Sequence, residues 1–173
     1  MRSPFLYAKN LIGICFKKLR FGSRFKAGAV QTFDRLFVEI YKGGHITLGS
    51  YNQCRGSLHL VSDGGSIVIG DHCFFNTGCC ITSTESVTIG NSCKFGNNLV
   101  IVDHDHNFDN IDGSNKELPE FISKPVSIGN NTWVGANVVI LKGTSIGNNC
   151  IIGAGSVVSG DVPDGTRFIQ KRR

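Results

Sequence analysis

The sequence predicts an all-β solenoid, a parallel β-helix of six-residue repeats with a short N-terminal helix and one long loop excursion. Two observations predict it. An aliphatic residue followed by Gly recurs with a period of six along the 173-residue chain. Glycine is abundant and proline is scarce, with 22 and 4 residues, which is typical of short strands joined by tight turns. The chain has no linker, so residues 1–173 are predicted to be one domain.

The N-terminal segment, residues 1–22, is predicted to be a short basic amphipathic helix. Its longest uncharged run, residues 10–16, is far shorter than the roughly 20 apolar residues that cross a bilayer. The helix is expected either to dock on the body of the protein or to touch a membrane surface. Apolar residues at near-helical spacing and the basic residues beside them are Phe5, Ile12, Phe16 and Leu19, with Lys9, Lys17, Lys18 and Arg20.

Twelve hexads define the solenoid, which is predicted to span residues 46–165. Three hexads make one triangular coil, and 18 residues separate Ile128 from Ile146. Stacked coils about 4.8 Å apart bury a column that no single repeat could bury. The hexads begin at Ile69, Phe75, Ile81, Ile89, Phe95, Ile101, Ile128, Val134, Ile140, Ile146, Ile152 and Val158, with a weaker set at Leu48, Cys54 and Leu60.

The seven cysteines fit the same repeat. Four of them, Cys73, Cys79, Cys93 and Cys150, take the small fifth position of a hexad, so we expect core packing. The chain shows no secretory-signal pattern and no CxxC pair, which favours reduced thiols in the cytoplasm. The inner face of the membrane is a further expected location because of the helix. A net charge of +5 suits an anionic small ligand, and no nucleic-acid partner is predicted.

One long excursion, residues 103–125, breaks the repeat and is predicted to be an inserted active-site loop. Its root reads "VDHDHNFDN". Residues two apart share a strand face, so His104 and His106 are expected to point one way, with Asp103 and Asp105 opposite. Three interpretations stay open here: a metal site, a general base and a solvated turn. A catalytic zinc needs a third ligand, and the remaining histidines are scattered, so no metal is expected.

These repeats resemble the hexapeptide-repeat acyltransferases, and the resemblance covers about residues 46–165. It is closest to the maltose and galactoside O-acetyltransferases and to the capsule and polysaccharide O-acetyltransferases, through "FFNTGCCI" and the doubled "DHDH". The resemblance implies a left-handed coil and a homotrimer with sites between subunits. It also implies direct transfer from acetyl-CoA to a hydroxyl of a sugar or surface polysaccharide, in a ternary complex.

The resemblance also assigns roles to residues. His106 matches the general base, and His104 is expected to support it. Asn76 matches a residue of the acceptor pocket, and the excursion, with Asp105, is expected to contribute to acceptor binding. An imidazole can accept a hydroxyl proton near neutral pH as the oxygen attacks a thioester, which makes the base assignment chemically sound.

The donor side lies in the last repeats. Trp133, the only tryptophan, takes the last position of its hexad and is expected to face outward. The resemblance implies a pantetheine groove formed by Trp133, Gly135, Ala136 and Ala154. Ser159 and Gly160 stand where relatives carry Thr-Lys, and Ser159 is assigned to the same cofactor site. Basic residues near the end of the chain are candidate phosphate contacts: Arg167, Lys171, Arg172 and Arg173.

Other functions remain open. The same fold acetylates serine, antibiotic hydroxyls or the nitrogen of an amino sugar in enzymes of this kind. The γ-class carbonic anhydrases build a three-histidine metal site on it, so a metal-dependent hydratase is a rival. A solenoid used only as an assembly scaffold is another, and it predicts no affinity for a cofactor.

Overall fold

An N-terminal helix and about six turns of parallel β-solenoid make up residues 4–110 and 112–170, the part of the chain that the computed structural model describes. Helix α1 spans Pro4–Phe21, and 3-10 turns span Gly22–Arg24 and Phe108–Asn110. The strands are β1 (Phe25–Ala27), β2 (Thr32–Tyr41), β3 (His45–Leu48), β4 (Gln53–Asp63), β5 (Ser66–Ile69), β6 (Phe74–Phe75), β7 (Cys79–Ser83), β8 (Ser86–Ile89), β9 (Lys94–Phe95), β10 (Val100–Val102), β11 (His104–His106), β12 (Phe121–Ser123), β13 (Val126–Ile128), β14 (Trp133–Val134), β15 (Val139–Ile140), β16 (Ser145–Ile146), β17 (Ile151–Ile152), β18 (Val157–Val158), β19 (Asp161–Val162) and β20 (Arg167–Phe168).

Strands of successive coils pair in parallel and form three faces. Face A contains β1, β3, β5, β8, β13, β16 and β19. Strand β4 pairs with β6 through its first residues and with β7 through its last, so the second sheet folds at β4 into two faces. Face B contains β6, β9, β14, β17 and β20, and face C contains β7, β10, β15 and β18. Ser127 and Ile128 pair with Ser145 and Ile146, which confirms the 18-residue coil in this part of the chain.

The aliphatic and aromatic residues of the hexads fill the axis of the coil, where the rings of Phe75 and Phe95 stack at 4.7 Å. The cysteines of the fifth positions are buried beside them, as predicted. The Cys73 thiol lies 3.1 Å from the carbonyl oxygen of Gly90, one coil later. Desolvation raises the pKa of the Cys79 thiol to about 11, so this group stays protonated and unreactive near neutral pH.

A ladder of side-chain oxygens stabilises the turns between faces A and B. At each level a backbone amide donates to an Asn or Asp side chain one coil later. The step from Asn91 to Asn130 joins coils on either side of the long excursion, so these coils stack as they would without it. The donated bonds run from Ser50 to Asp71, Asp71 to Asn91, Asn91 to Asn130, Asn130 to Asn148 and Asn148 to Asp164.

Strand pairing extends beyond the predicted range of 46–165 at both ends. At the start, β1 pairs with β3 and β2 pairs with β4, so the first coil begins at Phe25. At the end, β20 pairs with β17. The first coil carries large aromatic residues, Phe25 and Phe33, at buried positions instead of aliphatic-Gly hexads. The hexad pattern therefore did not predict the first coil.

Helix α1 forms as predicted, but it docks through a different face. Asn10, Ile14 and Phe21 are its buried residues. The Asn10 amide donates to the Phe33 carbonyl oxygen at 3.0 Å and accepts from the Phe33 amide at 2.9 Å. The Lys9 ammonium donates to the next carbonyl oxygen, that of Asp34, at 2.9 Å, so the helix covers the edge of β2 at its first residues.

The predicted apolar stripe of α1 faces away from the solenoid. Phe5, Ile12, Phe16 and Leu19 are 78%, 62%, 71% and 82% exposed. The helix carries apolar residues on two opposite sides, and periodicity alone could not decide which side the body of the protein covers. Within the described residues no helix, α1 included, is long and apolar enough to span a bilayer.

Candidate active site

The long excursion leaves the stack at the end of face C and folds into a small antiparallel hairpin. His104 pairs with Ser123 and His106 with Phe121 across strands β11 and β12. The amide of Lys124 donates to the Asp103 carbonyl oxygen at 2.8 Å, which closes the base of the hairpin. The predicted loop is therefore an ordered support for the two histidines.

Asp103 is a buried carboxylate that holds His104. Its Oδ1 lies 3.0 Å from Nδ1 of His104, and it also accepts from the amide of Thr84 at 2.8 Å. Its Oδ2 accepts from the hydroxyl of Ser83 at 2.7 Å and from the amide of Glu85 at 2.9 Å. Burial raises the pKa of Asp103, but these hydrogen bonds outweigh desolvation and hold the pKa below its usual value.

An ionised Asp103 fixes the tautomer of His104. The carboxylate accepts the Nδ1 proton, so Nε2 of the neutral ring is left as the proton acceptor. The side chain of His104 is only 14% exposed, so its orientation is set by this bond and by the edge of the Phe121 ring. The arrangement is that of a positioned base.

His106 lies on the same face of the hairpin, as predicted. Its ring centroid is 4.8 Å from that of Phe121, and the centroid of His104 is 4.9 Å from the same ring. His106 is exposed at the rim of an open depression shared with His104 and Phe108. Asp105 points to the other side and pairs with Lys142, with 2.6 Å between Oδ2 and Nζ.

A second depression, of about 490 Å³, adjoins His104 on its other side. Phe121 and Tyr41 supply aromatic walls, and Asp63 and Lys42 pair at 3.1 Å on its rim. Thr82 of β7 and Thr84, just after it, complete its lining. Sequence reasoning missed this pocket because Tyr41 and Asp63 lie 63 and 41 residues before His104 in the sequence, and only the stacking of coils brings them together.

The predicted donor residues gather at the corner between faces B and C. Trp133 is on β14 and 54% exposed, which confirms the outward orientation. Gly135, Ala136 and Ala154 follow at the corner, where an added Cβ on Gly135 would lie 2.6 Å from the Ala154 amide nitrogen. Asn76 stands in the same column, two coils earlier.

The histidines occupy a different corner, between faces C and A. Face C separates them from Trp133, Asn76 and the small residues within one chain. Ser159 also follows a face C strand, β18, so it lies at the histidine corner and not with the other predicted cofactor residues. Arg167 is exposed on β20. Lys171, Arg172 and Arg173 lie outside the described residues.

The metal interpretation has no third ligand in the described part of the chain. Over residues 4–110 and 112–170, no three His, Cys, Asp or Glu side chains converge as metal ligands would. Asp103, the nearest carboxylate, is occupied by its five hydrogen-bond donors.

Two family profiles match the chain on either side of the hairpin. The profile described as a hexapeptide repeat of succinyl-transferase matches residues 66–102, and the bacterial transferase hexapeptide profile, of six repeats, matches residues 125–160. Both stop at the hairpin, so the matched part is the solenoid itself.

Curated relatives and solved structures agree with these matches. The chain is 37% identical to the putative lipopolysaccharide biosynthesis O-acetyl transferase WbbJ of Escherichia coli strain K12, over 73% of this chain and 68% of that protein. It is 37% identical to the galactoside O-acetyltransferase of the same strain, over 59% of this chain and 49% of the relative, so it spans about half of that protein.

The fold alone is shared with a mutant of AntD, an N-acyltransferase from Bacillus cereus, solved with dTDP and coenzyme A. The TM-score is 0.62 at 14% identity, over 86% of this chain and 80% of that one. With repeats matched on both sides of the hairpin and a 37% identical relative spanned over two thirds of its length, the chain belongs to the hexapeptide-repeat family of acetyltransferases, whose fold is the left-handed parallel β-helix.

Proposed function

We propose that this protein transfers an acetyl group from acetyl-CoA to a hydroxyl of a sugar or surface polysaccharide. The observation that carries the proposal is the Asp103–His104–His106 arrangement on an ordered hairpin beside an aromatic and polar depression. Family membership supports acetyl transfer, and the name of the 37% identical relative supports a glycan hydroxyl as the acceptor. The reaction runs in the cytoplasm, where acetyl-CoA is made.

His106 acts as the general base in this proposal. Its imidazole takes the acceptor proton as the hydroxyl oxygen attacks the thioester carbonyl carbon. The tetrahedral intermediate then collapses, the carbon–sulfur bond breaks, and the imidazolium returns the proton to the sulfur of the leaving CoA. Positioned base catalysis contributes about 10²–10⁴-fold to such a step. His104, fixed by Asp103, supports the same step from the adjacent position by accepting a hydrogen bond from the acceptor at Nε2.

The acceptor binds in the depression beside His104. Tyr41 and Phe121 offer the aromatic surfaces on which the apolar face of a sugar ring packs, and the Lys42–Asp63 ion pair on the rim offers a donor and an acceptor to sugar hydroxyls. Asp105, paired with Lys142, also lines the open depression beside the histidines and contributes to the acceptor side.

The donor groove requires a second subunit. One corner of the coil is lined by Trp133, Gly135, Ala136 and Ala154. Another corner is lined by the histidines and Ser159. Each chain therefore carries both halves of the site, but on separate corners. We propose a homotrimer in which the donor corner of one subunit faces the histidine corner of its neighbour. Asn76 lies at the donor corner and reaches the acceptor across that interface.

Acetyl transfer is tested by following CoA release with a panel of acceptors: galactosides, maltose, oligosaccharide repeat units, serine, chloramphenicol and an amino sugar. Turnover on a sugar hydroxyl, with an O-acetyl product identified by NMR, supports the proposal. Acetylation of the amino-sugar nitrogen, serine or the drug alone would change the acceptor class. CoA binding without turnover on any of them would contradict catalysis on this panel, and absence of CoA binding would favour the scaffold or hydratase alternatives.

The roles of the two histidines are tested by single substitutions. We expect His106→Ala to lower kcat by at least about 10²-fold and His104→Ala to lower it less. His72→Ala is the matched control, since this exposed histidine stacks on Tyr51 at the turn between faces A and B, away from both corners. A larger loss in His104→Ala than in His106→Ala would exchange the two roles.

The shared site is tested by mixing subunits. His106→Ala and Trp133→Ala damage opposite corners, so trimers assembled at random from both should recover about a quarter of wild-type activity, because a quarter of their interfaces pair two intact corners. Recovery near zero, with mixed trimers verified by mass, would mean that both corners act within one chain.

A further inference from the structure

The exposed stripe of helix α1 has a defined direction. At 100° per residue, Phe5, Ile12, Phe16 and Leu19 form one line along the helix, and the docked residues Ile14 and Phe21 lie on the opposite side. Asn10 fixes the helix to the edge of β2, at the N-terminal end of the stack of coils. The stripe, on the opposite side of the helix, therefore faces away from that end of the stack and does not line faces A, B or C.

Basic residues border the stripe. Lys9 and Arg20, both exposed, lie along one side of it, and the Lys9 ammonium also donates to the Asp34 carbonyl oxygen at 2.9 Å. Lys18 is exposed too, but it lies nearer the docked side, beside Ile14. Residues 1–33 contain seven Lys and Arg and not one Asp or Glu, whereas the other 140 residues contain 11 Lys and Arg and 13 Asp and Glu. The positive charge of the protein is therefore concentrated at the end that carries the exposed apolar stripe.

We propose that α1 is an interfacial helix that docks this end of the protein on an anionic phospholipid surface. Phe5, Ile12, Phe16 and Leu19 enter the boundary between headgroups and acyl chains, and the neighbouring ammonium and guanidinium groups meet lipid phosphates. Long basic side chains suit this position because their alkyl stems cover apolar surface and their charged ends reach the headgroups.

A second copy of the chain fits this surface less well. Two such ends would bring together two segments, residues 1–33, of charge +7 each, and strand β2 beside them adds two carboxylates, Asp34 and Glu39, against this charge. The lateral trimer proposed above also leaves the end of the stack uncovered, since its contacts use the side faces. An anionic surface supplies both the apolar phase and the missing negative charge.

The experiment is flotation of the purified full-length protein with vesicles of phosphatidylcholine alone and of phosphatidylcholine with phosphatidylglycerol. We expect binding to the anionic vesicles only, weakening as salt is raised. The double variant Phe16→Ser/Leu19→Ser should bind at least about tenfold more weakly, the loss expected when a large apolar side chain no longer leaves water.

Val68→Ser is the matched control, because Val68 is an exposed apolar residue on β5 of face A, two strands away from β1 and outside α1. It should leave vesicle binding unchanged. The double variant should keep wild-type acetyl transfer to a soluble acceptor, so a failure of lipid binding and a failure of the proposed activity are separable. Light scattering gives the oligomeric mass of every variant.

Three results would overturn the proposal. The first is no binding to anionic vesicles at low salt, and the second is binding that the double variant retains in full. The third is a fall in oligomeric mass in the double variant, which would assign the stripe to contacts between copies of the chain.

Discussion

Asp103 and His104 are neighbours in sequence, and their side chains are joined at 3.0 Å while the backbone turns between them from the stack into the hairpin. The carboxylate belongs to the buried corner of the coil, and the imidazole belongs to the excursion. A single hydrogen bond therefore couples the orientation of a candidate catalytic ring to the rigid part of the fold.

Asp103→Asn tests whether this bond matters for activity. The amide cannot accept the Nδ1 proton and the backbone amides as well as a carboxylate does, so we expect kcat to fall about tenfold or more while KM changes little. The double variant Asp103→Asn/His104→Ala should be no slower than His104→Ala, because Asp103 acts through that ring. Additive losses would assign Asp103 a purely structural role.

Stability should depend on the protonation of Asp103. Its pKa is lowered in the folded state, so the contribution is present above the unfolded value of about 3.9 and is lost as pH falls through the folded pKa. At pH 7 we expect Asp103→Asn to reduce the free energy of unfolding by about 1–3 kcal/mol. Urea unfolding of both proteins from pH 7 down to pH 3 should show this difference shrinking; a constant difference would contradict it.

Position 135 requires glycine because two coils approach each other closely there. A Cβ there would meet the backbone nitrogen of Ala154 at 2.6 Å, so Gly135→Ala should cost about 1–3 kcal/mol of unfolding free energy. Gly13 lies within α1 with open space around its Cα, and Gly13→Ala should instead stabilise by up to about 1 kcal/mol. Thermal or urea unfolding of this matched pair checks both signs.

Thiol reactivity should separate the cysteines by burial. Cys15 is exposed and Cys80 half-buried, whereas the other five are buried. In the native protein we expect one fast reaction with a thiol reagent at pH 8, removed by Cys15→Ser, and reaction of the buried set at the rate of unfolding. Fast modification of Cys79 would show that its coil opens far more readily than the packing indicates.

The period of six was enough to predict the solenoid, the inward cysteines and the outward Trp133, because each depends on the alternation of residues along one coil. It could not predict the first coil, where Phe25 and Phe33 replace the hexad residues. The docking face of α1 was equally hidden, since Asn10, a polar residue, seats the helix by hydrogen bonds to the backbone of Phe33.

The site followed the same division. The alternation of side chains along a strand correctly predicted that His104 and His106 lie on one side, because that relation depends only on residues that are neighbours in sequence. It could not predict that Asp103 turns inward to Ser83 and the amides of the coil before, or that Tyr41 and Asp63 line the adjoining depression. Those contacts depend on which coils are neighbours and in what register they pair. That register follows from the complete fold and not from a local sequence pattern.

The hydrogen bond from Asn91 to Asn130 bridges the hairpin as if its residues were absent, and β8 pairs with β13 across the same gap. The hairpin is thus an appendage on a scaffold that is already continuous. The segment between residues 104 and 123 can then be lengthened or replaced with no change of register elsewhere, which makes it a modular insertion on the coil.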